Sequence, residues 1–348
     1  MLNSIRNVLR RRHSKDIPTE LKGFWTDEPD AVKALKSRQK KAAITDSEAD
    51  LLLHFIQHGY VILKGAINPE HADALVAEIA GTAAYPNHYI ARTQGKSYSY
   101  VTPDVIEDKQ FRLIDFHVNS ELARTAEFAP AIQRFLNLLF EEPALAFQSL
   151  TFKYGSQQGI HQDGAYVVVD KPLQFVASWI ALEDVTPGSG ELIYYPGSHR
   201  FPHYLFGERH KNWLLARDGV EANQSFIAHL KTQIEETGVE EQQFSPSKGD
   251  ALIWAADLVH GGAKITNSAT RHSLVTHYCP LSVAPNYKKF FKQYAVKQFN
   301  ESGFYSSRHY DLCQHNSEFE IGPEIHPEAS SDLYTPVFMG TKIDTSTT

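Results

Sequence analysis

His161 and Asp163 stand two residues apart in the run His161-Gln162-Asp163-Gly164. In an extended segment, residues two apart project to the same side, so an imidazole and a carboxylate would converge on one point. His260, far downstream in Trp254 to Gly262, can supply a second imidazole only through folding. Two histidines and one carboxylate on one face of an octahedral Fe(II) leave the opposite face open for cosubstrate and oxygen. Arg271 and Ser273 follow, again two apart and so on one face of the strand they would open. A guanidinium fork binds a carboxylate through paired hydrogen bonds, and a neighbouring hydroxyl adds a third. That fits the distal carboxylate of 2-oxoglutarate, whose keto acid end would chelate the iron; a charge-assisted contact of this kind is worth about 1.5–3 kcal/mol. Each pattern has a plainer reading. With 17 histidines in the chain, H-x-D arises freely, and the two side chains could simply bond to each other in a surface loop. Arg271 could sit in an ordinary salt bridge. The context favours metal: a strand before the pair, Gly164 after it, a histidine at a strand end, then the arginine.

The elements that must carry these residues are mostly short strands. Phe147 to Tyr154, Gln174 to Leu182, Leu192 to Tyr195, Ala251 to Trp254 and Arg271 to Tyr278 are β-rich and separated by Gly, Pro, Asp and Ser. Their spacing predicts an antiparallel sandwich or barrel rather than β-α-β units. Ahead of them the pattern reads helix, strand, helix: Asp46 to Phe55 with Ser47 as cap and His58-Gly59 as stop, Tyr60 to Leu63, then a helix opened by Pro69. Phe111 to Phe116 reads as a strand and Ala129 to Phe140 as an amphipathic helix. The division expected is a basic and polar extension over 1–45, a metal-binding domain over 46–283, and a C-terminal extension over 284–348 packed on it. Residues 200–247, polar, aromatic and partly helical, interrupt the core as an insert of the kind that forms lids.

Composition bounds the rest. Of 348 residues, 42% are apolar and 22% charged, as in a soluble globular protein, and a formal charge of -7 speaks against nucleic acid as a partner. Only Cys279 and Cys313 are present, too few for a disulfide framework, which points to a reducing, cytoplasmic setting. No apolar run approaches the roughly 20 residues that cross a bilayer. Met1 to Ser14, with Arg6, Arg10, Arg11 and Arg12 and apolar residues at helical spacing, reads as a frayed terminus or a short basic amphipathic helix. The oligomeric state is not encoded in any legible pattern.

The order of motifs resembles the phytanoyl-CoA dioxygenase family. The matching pieces are His58-Gly59-Tyr60-Val61-Ile62-Leu63-Lys64-Gly65, His161-Gln162-Asp163-Gly164, Trp179 within Ala177 to Leu182, and Gly190-Glu191-Leu192 leading to Pro196-Gly197-Ser198-His199-Arg200. Gly249-Asp250 and Arg271-His272-Ser273 complete the set. The resemblance implies a mainly β fold with flanking helices, a double-stranded β-helix or jelly roll of the cupin-like kind, with Fe(II) held by His161, Asp163 and His260 at its open end. It implies a hydroxylase that uses 2-oxoglutarate and O2 on a small-molecule substrate, releases succinate and CO2, and takes ascorbate as a supporting reductant. Trp179, Arg112 and Gln148 fall where the cosubstrate is contacted, although Trp179 suits plain core packing nearly as well. Gly262 departs from members that carry a hydroxyl there. Asp163 favours hydroxylation over halogenation, since related halogenases have a small residue at that position. His199 reads as part of a turn rather than as a base; His277, six residues beyond Arg271 and on its face, reads as a satisfied core histidine, with an outlook into the cavity toward substrate as the alternative. The rival readings are a cupin-like metal enzyme that does not use 2-oxoglutarate, against which Arg271 and Ser273 speak, and a barrel that binds without turnover.

Overall fold

The computed structural model describes residues 21–85, 88–93, 98–285, 296–305, 310–311 and 320–321. The basic terminus from Met1 to Ser14, and Cys313, lie outside these residues. The helices are α1 (Ala31–Lys40), α2 (Asp46–His58), α3 (Pro69–Gly81), α4 (Pro103–Glu107), α5 (Glu121–Glu127), α6 (Pro130–Phe140) and α7 (Leu215–Thr237). The strands are β1 (Tyr60–Leu63), β2 (Ile90–Arg92), β3 (Tyr98–Tyr100), β4 (Arg112–Ile114), β5 (Ala144–Phe152), β6 (Val176–Ala181) and β7 (Leu192–Tyr194). They continue as β8 (Gln242–Phe244), β9 (Ala251–Ala255), β10 (His260–Gly262), β11 (Ser273–Pro280), β12 (Val296–Phe299) and β13 (Ser302–Tyr305).

Two sheets face each other. The larger runs β1-β9-β6-β11-β5-β4-β2-β3 and the smaller β10-β7-β8, with every pair in these two paths antiparallel. Successive side chains of the large sheet's strands alternate between two buried faces. Ala177, Trp179, Leu252, Trp254, Val275 and Phe152 point inward against Leu192, Tyr194 and Phe244 of the small sheet. Outward residues of the same strands, among them Val176, Ile180, Ile253 and Leu274, join one apolar core with Leu52, Phe55, Leu75, Ile132 and Leu136 of the helices. This is the jelly roll flanked by helices that the motif order implies.

The helices stop and start for identifiable reasons. Thr45, not Ser47, caps α2: its hydroxyl accepts from the Glu48 amide at 3.2 Å, while the Glu48 carboxylate accepts from the Thr45 amide at 2.7 Å. The sequence offered both hydroxyls, and the reciprocal box selects the one three residues ahead of the glutamate. Gly59 ends the helix in the left-handed region at φ +78, and a Cβ there would meet His199 Nδ1 at 2.4 Å. The turn therefore needs glycine twice over.

After residue 295, β12 and β13 form a hairpin, and β13 runs parallel to β5, pairing Gly303 with Leu145 and Phe304 with Ala146. In the insert, α7 is interrupted at Gly219, whose φ of 72 and ψ of 176 are not helical. No helix among the described residues is long and apolar enough to cross a membrane.

Candidate metal centre

His161, Asp163 and His260 come together on the inner side of the small sheet, all buried, with one ligating atom from each lying within 4.8 Å of the others. His161 Nε2 is 3.5 Å and His260 Nε2 3.6 Å from Asp163 Oδ1. The convergence is not made by a regular strand, contrary to the sequence expectation. His161 touches the sheet through a single bridge to His260, and Asp163 opens a 3-10 turn, Asp163–Ala165. The bridge exchanges both backbone hydrogen bonds, His161 N to His260 O at 2.9 Å and His260 N to His161 O at 3.0 Å, so the two imidazoles are locked side by side with ring centres 4.3 Å apart.

Both imidazoles have the orientation a metal ligand requires. Nδ1 of His161 lies 2.9 Å from the Gly159 carbonyl and Nδ1 of His260 lies 2.9 Å from that of Leu258. A carbonyl accepts only, so Nδ1 carries the proton in each ring and Nε2 presents its lone pair to the centre. Gln158 Nε2 donates to His161 Nε2 at 3.1 Å, and that amide must swing aside for a metal to take the nitrogen. Burial pushes the His260 imidazole down to about 4, with His161 and His277 adding to it against the pull of Asp163, so the ring is neutral near pH 7. Burial would raise the Asp163 carboxyl, but His260, His161 and His277 outweigh it and hold it well below the usual carboxylate range. Two neutral imidazoles and a carboxylate suit a divalent cation that keeps open positions.

Arg271 does not open β11 but lies just ahead of it, its amide bonded to the Lys153 carbonyl at 2.8 Å so that pairing with the chain after β5 continues. It is 2% exposed and donates through Nη1 to the Gly190 carbonyl at 2.5 Å, while its Nε and the buried Ser273 hydroxyl have no hydrogen-bond partner among the described residues. Among the described residues no carboxylate forms an ion pair with it, which removes the ordinary salt-bridge reading. Two orphaned buried donors on one strand end call for an anion.

Arg112 and Ser273 both sit in register with Phe152, one on either side of it, which puts Arg112 on the same inner face. The guanidinium carbons of Arg112 and Arg271 lie 5.3 and 5.8 Å from the Phe152 ring centre. Trp179 packs in the core, its ring edge-on against Phe244 at 5.7 Å, and it lies beside Arg271, whose guanidinium carbon is 5.3 Å from the ring centre. Gln148 is half-buried and pairs with His277 across the strands, nearer the metal ligands than Arg271 in register. At Gly262 a Cβ would meet Ser156 Oγ at 2.9 Å, so the hydroxyl side chain of other members has no room without a shift of that loop. His199 belongs to the 3-10 turn Ser198–Arg200.

Three features were not foreseen. His277 is no satisfied core histidine: its Nε2 lies 3.4 Å from Asp163 Oδ2, and neither ring nitrogen has a hydrogen-bond partner among the described residues. Trp254 Nε1 donates to Asp163 Oδ2 at 2.9 Å; alternation along β9 could have placed Trp254 inward but not on this atom. The insert reaches behind the metal ligands, where Lys211 Nζ and His203 Nδ1 lie 2.9 and 3.1 Å from Asp257 Oδ2. The Gln162 amide donates to the Asp257 carbonyl at 2.6 Å, tying this cluster to the residue between His161 and Asp163. The insert also closes over the loop that follows, through Trp213 N to Ala165 O at 2.8 Å and Tyr166 Oη to Asn223 Oδ1 at 2.7 Å.

The chain is similar to phytanoyl-CoA dioxygenase domain-containing protein 1 of Danio rerio, 23% identical over 64% of this chain and 87% of that one. It is also similar to 1-deoxypentalenic acid 11-beta-hydroxylase of Streptomyces exfoliatus, 26% identical over 62% of this chain and 75% of that one. In fold it is similar to the epimerase SnoN, whose structure holds Fe3+, alpha ketoglutarate and nogalamycin RO, with a TM-score of 0.54 at 17% identity over 74% of this chain and 98% of that one. The family described as phytanoyl-CoA dioxygenase (PhyH) matches residues 55–273, well over half the chain, and the protein belongs to that family.

Proposed function

We propose that the protein is an Fe(II)- and 2-oxoglutarate-dependent oxygenase that hydroxylates an unactivated C–H bond of a small molecule, with release of succinate and CO2. The observation that carries this reading is the pairing of two sites on one inner face: three ligands converging through Nε2, Oδ1 and Nε2, and a buried guanidinium and hydroxyl left without an anion. The first fits a metal with open positions, and the second fits the far carboxylate of a dicarboxylate. When bound, the metal and 2-oxoglutarate supply the oxidising chemistry by splitting O2. His161 and His260 hold the metal through nitrogens kept deprotonated by their carbonyl partners, and Asp163 contributes the negative charge. Arg271, with Ser273 and the Trp179 ring, orients the cosubstrate from its distal end, and Arg112 adds positive potential on the same face. The insert, docked through Trp213 and the Tyr166–Asn223 bond, excludes water from the mouth and would meet the substrate.

The relatives' named activities, a hydroxylase among them, support the reaction class but differ in substrate. The test is release of labelled CO2 from 2-oxoglutarate with Fe(II) under air, for wild type and Asp163→Ala. Turnover of 2-oxoglutarate by wild type and its loss in the variant is the expected result. Full activity of Asp163→Ala would remove Asp163 from the ligand set, and an inactive wild type that binds metal and 2-oxoglutarate would favour a binding protein.

A further inference from the structure

Asp163 offers two oxygens, and the structure treats them differently. Oδ1 faces both histidine Nε2 atoms, at 3.5 and 3.6 Å. Oδ2 faces away, toward Trp254 Nε1 at 2.9 Å and His277 Nε2 at 3.4 Å. The two donors come from different strands but one cross-strand row: His277 of β11 pairs with Ala177 of β6, which pairs with Trp254 of β9. A β-bulge fixes the far side of the row, because the register of β5 against β11 breaks just after His277, so that Phe147 and Gln148 together oppose that one residue. Bulges re-aim side chains, and here the Phe147 and Phe175 rings flank the imidazole, each centred 6.0 Å from it. His277 is 5% exposed, neither of its nitrogens has a hydrogen-bond partner among the described residues, and Oδ2 of Asp163 is a polar neighbour at 3.4 Å.

We infer that Trp254 and His277 are positioning residues that hold Oδ2 of Asp163 away from the metal, so that the carboxylate ligates through Oδ1 alone. The inference rests on the metal-site reading proposed above. An octahedral ion with three protein ligands has three positions left, two of which a keto acid would chelate and one of which must take oxygen. An aspartate free to turn would bind through both oxygens and occupy one of the three. The Trp254 indole N–H donates to Oδ2, and His277, in its Nε2–H tautomer, would aim a second N–H at the same oxygen from 3.4 Å, engaging the lone pairs that would otherwise reach the metal.

The test is anaerobic Co(II) substitution of the full chain, with visible d–d bands reporting coordination number and titration of 2-oxoglutarate giving its affinity. Wild type is compared with Trp254→Phe, His277→Leu and His277→Gln; the last places an amide N–H where the imidazole Nε2 stood. The expected result is an altered Co(II) spectrum and a loss of 2-oxoglutarate affinity on the order of 10-fold in Trp254→Phe and His277→Leu. Co(II) affinity should change by less, because the second oxygen compensates, and His277→Gln should return toward wild type. Trp254→Phe and His277→Leu probe one atom from two strands, so a folding failure in either leaves the other to decide. Wild-type spectra and 2-oxoglutarate affinities in the folded variants would overturn the inference. So would weakened Co(II) binding with unchanged 2-oxoglutarate affinity, which is the mark of a merely structural role. A wild type that takes up no Co(II) would instead overturn the metal-centre reading itself, and this inference with it.

Discussion

Arg271→Met separates what the guanidinium does for the folded chain from what it does for a ligand. The side chain is 2% exposed, makes one hydrogen bond, to the Gly190 carbonyl, and has no ion-pair partner among the described residues. Burial, with Arg112 adding to it, brings its pKa down to about 10 against the weaker pull of Glu191 and Glu183. A cation in that position costs stability, because its desolvation is not offset by a paired anion. Methionine fills similar space without charge, so the ligand-free variant should melt at or above the wild-type temperature. The loss appears on adding 2-oxoglutarate. Two charge-assisted hydrogen bonds at about 1.5–3 kcal/mol each give at least about 3 kcal/mol, or more than about 100-fold in Kd. At a 2-oxoglutarate concentration of about 100 times the wild-type Kd, the ligand stabilises wild type by about 2.7 kcal/mol; a Kd raised about 100-fold leaves only about 0.4 kcal/mol. Anaerobic differential scanning fluorimetry with Mn(II), with and without 2-oxoglutarate, measures both quantities. A variant that is destabilised without ligand yet keeps the full 2-oxoglutarate shift would refute the reasoning, since Arg271 would then be a structural residue and the anion site would lie elsewhere.

Two further outcomes follow from buried charges away from the ligands. Burial pushes the Glu127 carboxyl up to about 8 from an ordinary 4.5, against hydrogen bonding from Thr276 and the charge of Arg124. A raised folded pKa means that this group's stabilising contribution is complete below about pH 4.5 and is lost as the pH rises through about 8. Glu127→Gln should flatten that decline in urea unfolding between pH 5 and pH 9, roughly the window of the shift, and an unchanged pH profile would remove Glu127 as its source. Lys211 and Asp257, with side chains 2% and 7% exposed, form an ion pair at 2.9 Å. Lys211→Met leaves the buried Asp257 carboxylate with His203 as its one remaining side-chain partner among the described residues and should cost up to about 3–5 kcal/mol, most of it recovered in Lys211→Met/Asp257→Asn. Equal stability of the single and double variants in urea melts would contradict that account.

The sequence by itself singled out the candidate metal ligands and the proposed anion-binding pair, because His161, Asp163, His260, Arg271 and Ser273 carry their chemistry in their types. Local spacing likewise determined α3, α6 and most core strands, where alternation and caps are short-range signals. Tertiary structure decided what depends on partners distant in sequence. The H-x-D pair converges through one bridge to His260 and a 3-10 turn, which no two-residue periodicity contains. The face that His277 shares with Arg271 was legible, but its approach to Asp163 was not, because a bulge sets Phe147 and Gln148 opposite it, a feature of two strands' register rather than of either strand. Trp254 reaches Asp163 across 91 residues of chain, and Lys211 crosses from the insert to Asp257. Local sequence fixes which groups are available and which way a strand's side chains alternate; which oxygen of Asp163 each donor meets is set only when two sheets close on one another.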